Sequence, residues 1–523
     1  MIGEITFSPD YWTNIQVTQE DIEHLHTTLF EREAPLTIQE LALALIEHRT
    51  QMEIKAADDK KQSLGKIYQP KDSYVIGEQL VFPSFNWATG KVIEERDGTN
   101  PAMGSFRVVA VQMDDGETRL FAAKLDNHPL NNVPVVKPEN KNESAEGIFK
   151  NHSHEILKTL QGSLESDETL VQIAGRWFPR SLLVDVNVGH LNLAEAVLDM
   201  SGGEPQPTSK LLKDVSLPEG INPRLAEFSL NLALQEDERF DEVGPAGEVL
   251  WCLRRLEPES VREVPIWLRY FPIDHDRALL SEPMQHLEEQ LDDELSIRDF
   301  TPTPAPINHV TISLIYPHLR AGTLPVSARA KKLFPTAYES PRVRFTMVDG
   351  RTKQTIPGWV VRKHGYVYGL REWYKAHQLI PGSLVDIKRS DRPGEVIIEA
   401  RTQRAAKDWV RTLIIGADGG MVFATLKQPI TAEFNDRMAI FVPDFKLLDP
   451  FWEMKHAFED LVISVMRELT KLNPQGHVHA QELYAAINLL RRVPPAPLFA
   501  LLEERQAFNH VGDLHYRLVE EIA

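Results

Sequence analysis

Two stretches of the chain bring catalytic residue types close together. Pro443-Asp444 followed by Glu453-Met454-Lys455 imitates the nuclease pattern in which two carboxylates hold Mg²⁺ and a lysine assists the attacking water. That chemistry needs the three groups on adjacent strands. Here Glu453 and Lys455 open an amphipathic helical pattern, and two residues along a helix diverge by about 200°, so the nuclease geometry is not expected. His477-Val478-His479 with Glu482 offers metal-ligand types. His479, however, stands at the start of a helical pattern and no third firm ligand lies near, so a structural role is expected, with no metal or cofactor. His152 and His154 fall in a polar stretch that reads as linker. No Gly-x-x-x-x-Gly-Lys-Ser/Thr, Gly-x-Gly-x-x-Gly or Gly-x-Ser-x-Gly occurs, which sets aside the common nucleotide-binding and serine-hydrolase chemistries. The expectation is a non-enzymatic protein.

Binding chemistry is better represented. The chain of 523 residues has a formal charge of −19, which alone disfavours polyanions. The charge is unevenly placed. Met1 to Leu319 carries 28 Lys+Arg against 53 Asp+Glu, Arg320 to Arg404 carries 17 against 7, and Ala405 to the end 12 against 16. An island of +10 in an acidic chain points to a polyanion or an acidic partner surface.

The length implies several domains, and 42% hydrophobic with 25% charged residues matches folded globular proteins. Cys252, the single cysteine, lies in the apolar run Val249-Leu250-Trp251-Cys252-Leu253 and reads as a buried, inert thiol. One cysteine suits a reducing compartment. The opening Met1-Ile2-Gly3-Glu4-Ile5-Thr6-Phe7 has no basic stretch before an apolar core, and no run approaches the length of a membrane span, so a cytoplasmic protein without a membrane partner is expected.

Along the chain, Glu20 to Arg32 and Ile38 to His48 read as helices in a first region, 1–55, and the polar residues Ala56–Ser73 as a linker. From Tyr74 to Leu125 the period becomes that of strands, with turns at Asp97-Gly98 and Asp114-Asp115-Gly116, giving a small β-barrel at 74–131. Polar Lys137–His154 reads as a second linker. Leu193–Met200, Thr208–Val215 and Pro223–Glu236 read as three helices, and a hairpin follows around Gly244-Pro245-Ala246-Gly247, within a region spanning 150–270. Trp452–Leu472, His479–Arg491, Pro495–Gln506 and a strand from Phe508 repeat the order in 446–523, after a β-rich connector, 405–445. "Asp-Glu-Arg-Phe-Asp-Glu-Val-Gly-Pro" is echoed by "Gln-Ala-Phe-Asn-His-Val-Gly-Asp", the mark of an internal repeat.

Three helices and a hairpin is the winged-helix order. Both copies, and more loosely the segment after Pro35, resemble the HARE-type winged helix of RNA polymerase accessory subunits and chromatin proteins. The small barrel resembles KOW or Tudor modules. The candidate reading helices carry Arg224 against Glu227, Glu236 and Asp237, and Arg505 against Glu503 and Glu504. Such acidic helices suit protein partners better than phosphates.

The segment 307–404 carries the sharpest resemblance. A strand from Val310 leads to Leu324-Pro325, a short helix Ala328–Leu333 and Phe334-Pro335. Then come Gly358-Trp359, the Gly369-Leu370-x-x-Trp373 helix, and Pro381-Gly382 before the strand from Leu384. This order is similar to the DNA-binding pseudobarrel of plant B-three transcription factors and of some restriction-enzyme effector domains. It departs from them in its Pro-Gly-Ser turn and short second arm. The resemblance implies two loops that clasp the major groove, here Pro317–Gly322 and Arg362–Gly365, with His318, Arg320, Arg362, Lys363 and His364. Arginine reads guanine edges by paired hydrogen bonds, and lysine and histidine suit phosphate. Arg329, Lys331, Lys332, Arg342 and Arg344 are expected to support the backbone. Trp359, Trp373 and Tyr374 are possible stacking platforms, although their placement suits a core.

The fold expected is multidomain α+β, with winged-helix repeats, a small barrel and a pseudobarrel. The function expected is a DNA-binding scaffold or regulator in transcription or defence, with duplex DNA on the pseudobarrel and protein partners on the winged helices. The alternatives are a protein scaffold without nucleic acid, and the DNA-sensing subunit of a nuclease system.

Overall fold

The computed structural model describes residues 11–63, 65–85, 88–100, 104–131, 144–218, 220–296, 307–337, 340–416, 420–453 and 457–519. It is mixed α+β, with fourteen α-helices and six sheets among those residues. The chain divides into two compact units, Met1–Val184 with Ile221–Ala226, and Asp185–Gly220 with Glu227–Ala523. That division falls inside the region 150–270 expected as one domain.

In the first unit, Gln19–Arg32 starts at a reciprocal cap. Thr18 Oγ1 accepts from the Asp21 N–H, and the Asp21 carboxylate accepts from the Thr18 N–H at 2.7 Å, satisfying two donors that a helix end leaves open. Ile22, Leu25 and Leu29, at helical spacing, are buried. The next helix runs from Ile38 to Ser63, well past His48, so the first eight residues of the expected linker 56–73 are helical. Lysine, glutamine and alanine are good helix formers, and polarity alone misled the reading. The strands Lys66–Ile67, Gln79–Phe82, Ala88–Asp97, Arg107–Met113 and Thr118–Ala123 form one sheet in chain order. Among the described residues its first and last strands do not pair, so the sheet is open. The second expected linker is also corrected. Ala145–Glu165 is a helix that includes His152 and His154, with Ile148, Ile156, Leu160 and Leu164 buried. The hairpin Leu170–Ile173 with Arg176–Pro179 follows, and Leu36–Thr37 pairs with its second strand.

In the second unit the same order recurs twice. Val188–Met200, Gln206–Pro207, Thr208–Asp214, Pro223–Glu236 (whose first residues belong to the other unit) and the strands Phe240–Glu242 and Leu250–Leu253 make one copy. Phe458–Thr470, Val478–His479, Ala480–Ile487, Pro495–Glu504, Phe508–Gly512 and His515–Leu518 make the other. In all three copies the short strand between the first two helices pairs with the second strand of the hairpin. Buried Asn231 explains one copy locally: its side-chain oxygen accepts from Thr208 Oγ1 at 2.6 Å and from Trp251 Nε1 at 2.9 Å, pinning two helices and the hairpin together. Cys252 is buried, and burial pushes its thiol up to about 12. The expected helix Trp452–Leu472 is two pieces, Asp449–Glu453 and Phe458–Thr470.

Between these copies lies a seven-stranded sheet. Its spatial order is His309–Ser313, Leu384–Arg389, Glu395–Ala400, Arg342–Asp349, Thr355–Val361, Tyr366–Tyr368, Thr323–Pro325. Pairing is antiparallel except between Arg342–Asp349 and Glu395–Ala400. In Arg342–Asp349 burial alternates along the strand, with Val343, Phe345 and Met347 inward, as a pleat with one covered face requires. The end strands do not pair among the described residues, so this sheet too is open. The stretch Pro317–Gly322, expected as a loop, falls in a buried helix, Tyr316–Ala321, with Pro317 in its first turn and Gly322 in the left-handed conformation after it. The expected short helix at Ala328–Leu333 is a 3-10 turn, Ala330–Leu333. A long hairpin, Thr402–Ile415 with Met421–Ala432, extends beyond the sheet. No helix among the described residues is long and apolar enough to cross a membrane.

Candidate nucleic-acid interface

Pro325 pairs with Tyr366, and Arg342 with Val361. The chain leaving Thr323–Pro325, the chain entering Arg342–Asp349 and the turn before Tyr366 therefore meet at one end of the seven-stranded sheet. The Val326 N–H donates to the Gly365 carbonyl at 2.7 Å, and the Arg362 N–H to the Pro341 carbonyl at 3.0 Å. The 3-10 turn Arg362–His364 projects there, and the chain leaving Thr323–Pro325 makes a second, Ala330–Leu333, whose Lys332 carbonyl accepts from Arg389 Nη2 at 2.9 Å. Their basic residues Lys331, Lys332, Arg362, Lys363 and His364 are all exposed. Arg362 Nη1 donates to the Ser340 carbonyl at 2.7 Å, which steadies the side chain. Burial, with Lys363 and Arg342 as like charges, lowers the His364 pKa. The imidazole is therefore a neutral donor and acceptor at neutral pH.

The other five residues of the expected set are engaged within the protein. His318 is fully enclosed: its Nδ1 meets Thr323 Oγ1 at 2.9 Å and its Nε2 lies 3.2 Å from Glu294 Oε1. Arg320 donates to both Asp449 carboxylate oxygens at 2.9 Å and lies 4.7 Å above the Trp267 ring. Arg329 donates to Asp292 at 3.0 Å. Arg342 is held by Asp241, by Glu257 at 3.2 Å and by the Val261 carbonyl at 3.2 Å. Arg344 donates to the Phe345 carbonyl at 2.7 Å and covers Trp359, and its burial lowers its pKa. The arm expected at Pro317–Gly322 is thus a helix whose His318 and Arg320 are engaged within the protein.

The three aromatic residues are buried. Trp373 Nε1 donates to Asp349 Oδ2 at 2.6 Å, and His377 Nε2 meets the same oxygen at 2.9 Å. Burial works against ionisation of Asp349, but the Thr352 and Arg351 N–H groups and the indole bring its pKa down to about 2. This carboxylate fastens the Arg371–Ala376 helix to the sheet and was not singled out from sequence. Equally unread was the acidic run Asp292-Asp293-Glu294, which meets Arg329, Arg492 and His318.

Among the described residues no group of three or more His, Cys, Asp or Glu side chains is placed to hold a metal ion. Asp444 caps a 3-10 turn by accepting from the Lys446 N–H at 2.9 Å. Glu453 lies in the helix Asp449–Glu453 and not in the long helix Phe458–Thr470, and Lys455 lies outside the described residues. His479 caps Ala480–Ile487 by accepting from the Gln481 N–H at 3.1 Å, and burial first, then Arg437 and His515, bring its pKa down to about 4. Glu482 is paired instead with Arg411, at 2.6 Å.

No known protein family, curated protein or solved structure matches the chain.

Proposed function

We propose that this chain is a non-enzymatic DNA-binding scaffold that holds duplex DNA at the basic end of its seven-stranded sheet. The observation that carries the reading is the exposure of Lys331, Lys332, Arg362, Lys363 and His364 on two basic 3-10 turns of the same sheet domain. Lys331 and Lys363 have no ion-pair partner among the described residues. Four exposed cations on two turns of a strongly acidic protein suit a row of phosphates. The open seven-stranded order with two short helices, Tyr316–Ala321 and Arg371–Ala376, supports the pseudobarrel reading. The threefold α-β-α-α-β-β order supports winged helices used for structure and partner docking. Pro495–Leu502, on the third helix of the last copy, is buried throughout, which leaves no face for a groove.

The test is salt-titrated binding of the full chain to duplex DNA, beside the Lys331→Ala, Lys332→Ala, Arg362→Ala, Lys363→Ala quadruple variant. Affinity is expected to fall steeply with salt, and the variant to flatten the slope by roughly 0.9 for each phosphate that it no longer neutralises. Binding that is absent at low ionic strength, or indifferent to the four substitutions, overturns the reading.

One observation favours the second reading, a protein scaffold. Arg320, Arg329 and Arg342 are bound to Asp449, Asp292, Asp241 and Glu257 of the same chain. Part of the basic island therefore serves to join the sheet to the acidic segments around it.

A further inference from the structure

The long hairpin carries an exposed aromatic residue with no packing role in the core. Trp409 is 64% exposed, on the strand Thr402–Ile415, directly opposite Lys427. Residues alternate faces along a strand, so Lys407, Trp409 and Arg411 share one face with their partners Pro429, Lys427 and Thr425. The opposite face is the covered one here: Val410 and Ile430 pack with Ile380 and Ala439. Lys407 and Lys427 are exposed, and the Lys427 ammonium stands 5.2 Å from the Trp409 ring centre. Arg411 is turned to Glu482. Asp408, the nearest carboxylate in sequence, belongs to the other face and accepts from Gln403 Nε2 at 2.8 Å. A large flat ring flanked by two lysines, with the neighbouring Glu482 carboxylate neutralised by Arg411, is an apolar platform inside a cationic frame.

A cation over an indole has a modest stabilising effect of its own, but it does not require the ring to stand this far out of the protein. Leaving that much apolar surface in water carries a cost that a bound flat, anionic partner removes. We infer that this face of the hairpin binds single-stranded nucleic acid: Trp409 stacks on an unpaired base, while Lys407 and Lys427 hold the flanking phosphates. Stacking on an aromatic residue tolerates any base, so the site should show little sequence preference. The inference rests on the nucleic-acid reading given above, yet it uses none of the same residues.

The experiment uses the full chain, a labelled oligothymidylate and a blunt duplex of equal length. Trp409→Ala is expected to weaken oligothymidylate binding by roughly five- to a hundredfold, the range of one aromatic–base stack, while duplex affinity stays within about twofold. Trp409→Phe should retain most of the oligothymidylate affinity but lose the quenching of indole emission on binding. Lys407→Ala with Lys427→Ala should reduce the salt dependence. Unchanged oligothymidylate binding in Trp409→Ala overturns the inference, as does inhibition of wild type by poly-glutamate but not by oligothymidylate, which assigns the face to an acidic protein. If duplex binding is absent but oligothymidylate binding depends on Trp409, the sheet-end reading fails and this one stands. If the sheet-end variant alone loses binding to both nucleic acids, this one fails and the other stands.

Discussion

Arg492 Nη2 donates to Asp293 Oδ1 at 2.6 Å with both side chains completely enclosed. The same nitrogen reaches Glu294 at 2.8 Å, Tyr484 donates its hydroxyl to Asp293 at 2.5 Å, and His318 approaches Glu294. Burial resists the charge on Glu294, but Arg492 and His318 hold its carboxyl well below the usual range. The cluster joins the last helical copy and the segment after Glu282–Leu291 to the buried helix Tyr316–Ala321. Two carboxylates therefore depend on one guanidinium. Arg492→Met keeps the apolar stem and removes the charge. Breaking a buried ion pair from one side costs about 3–5 kcal/mol, so the denaturation midpoint should drop sharply. A midpoint close to that of wild type would mean that the carboxylates are not held by Arg492.

Glu257 supplies a pH-dependent term. Its side chain is fully enclosed beside Asp241 and Arg342. Burial first, and the Asp241 charge second, push its carboxyl up to about 8, against about 4.3 in an unfolded chain. A group that holds its proton more tightly when folded stabilises the protein fully below its unfolded pKa, and that contribution is lost as the pH rises through the folded value. Thermal stability should therefore decline between about pH 5 and 8. Glu257→Gln, a permanent stand-in for the protonated acid, should lessen that decline and raise stability at the alkaline end. Parallel melting curves for wild type and variant across that range would rule the assignment out.

Gly382 marks where the sheet meets the chain that follows it. Its φ of +92° and the 2.6 Å from a built Cβ to the Ala439 backbone leave room only for glycine. Its N–H donates to the Leu314 carbonyl at 2.7 Å, so the turn cannot move without breaking that hydrogen bond. Gly382→Ala should cost at least about 1–3 kcal/mol from the backbone conformation alone, read as a lower denaturation midpoint. A variant as stable as wild type would show that the turn tolerates a side chain.

How much of this was legible in the sequence depends on range. The helices at Pro223–Glu236 and Pro495–Glu504 and the alternating strands of the seven-stranded sheet follow from local periodicity, and they appear where that periodicity puts them. Local signals also existed for some elements that were misread. Pro317 and Gly322 are a helix's usual first-turn and after-end residues, and Ile148, Ile156, Leu160 and Leu164 keep helical spacing through a polar stretch. The first copy was harder to see, because the five-stranded sheet separates its second and third helices. Side-chain pairing was not legible at all. Arg320 finds Asp449 129 residues away and Arg342 finds Asp241 101 away, distances at which charge counts show an island but not which of its charges are already spent.

Arg320 and Arg362 separate those two fates. The loop analogy gave both the task of reading bases, yet Arg320 is fixed on Asp449 and Trp267 while Arg362 projects from an exposed turn. Arg320→Ala removes a partly exposed ion pair and a ring contact, together worth about 1–2 kcal/mol. It should lower the melting temperature slightly and leave duplex affinity within about twofold of wild type. Arg362→Ala should do the reverse. It leaves stability nearly unchanged and weakens binding, by roughly 1–3 kcal/mol at one base position if the guanidinium reads a guanine edge. A selection from random duplexes with wild type and both variants, alongside their melting curves, separates the cases. Loss of a selected base in Arg320→Ala, with no change in melting, would show that the Asp449 pair opens on DNA and would return the buried helix to the interface. Equal weakening on every sequence in Arg362→Ala would instead make Arg362 a phosphate contact, like Lys331 and Lys332.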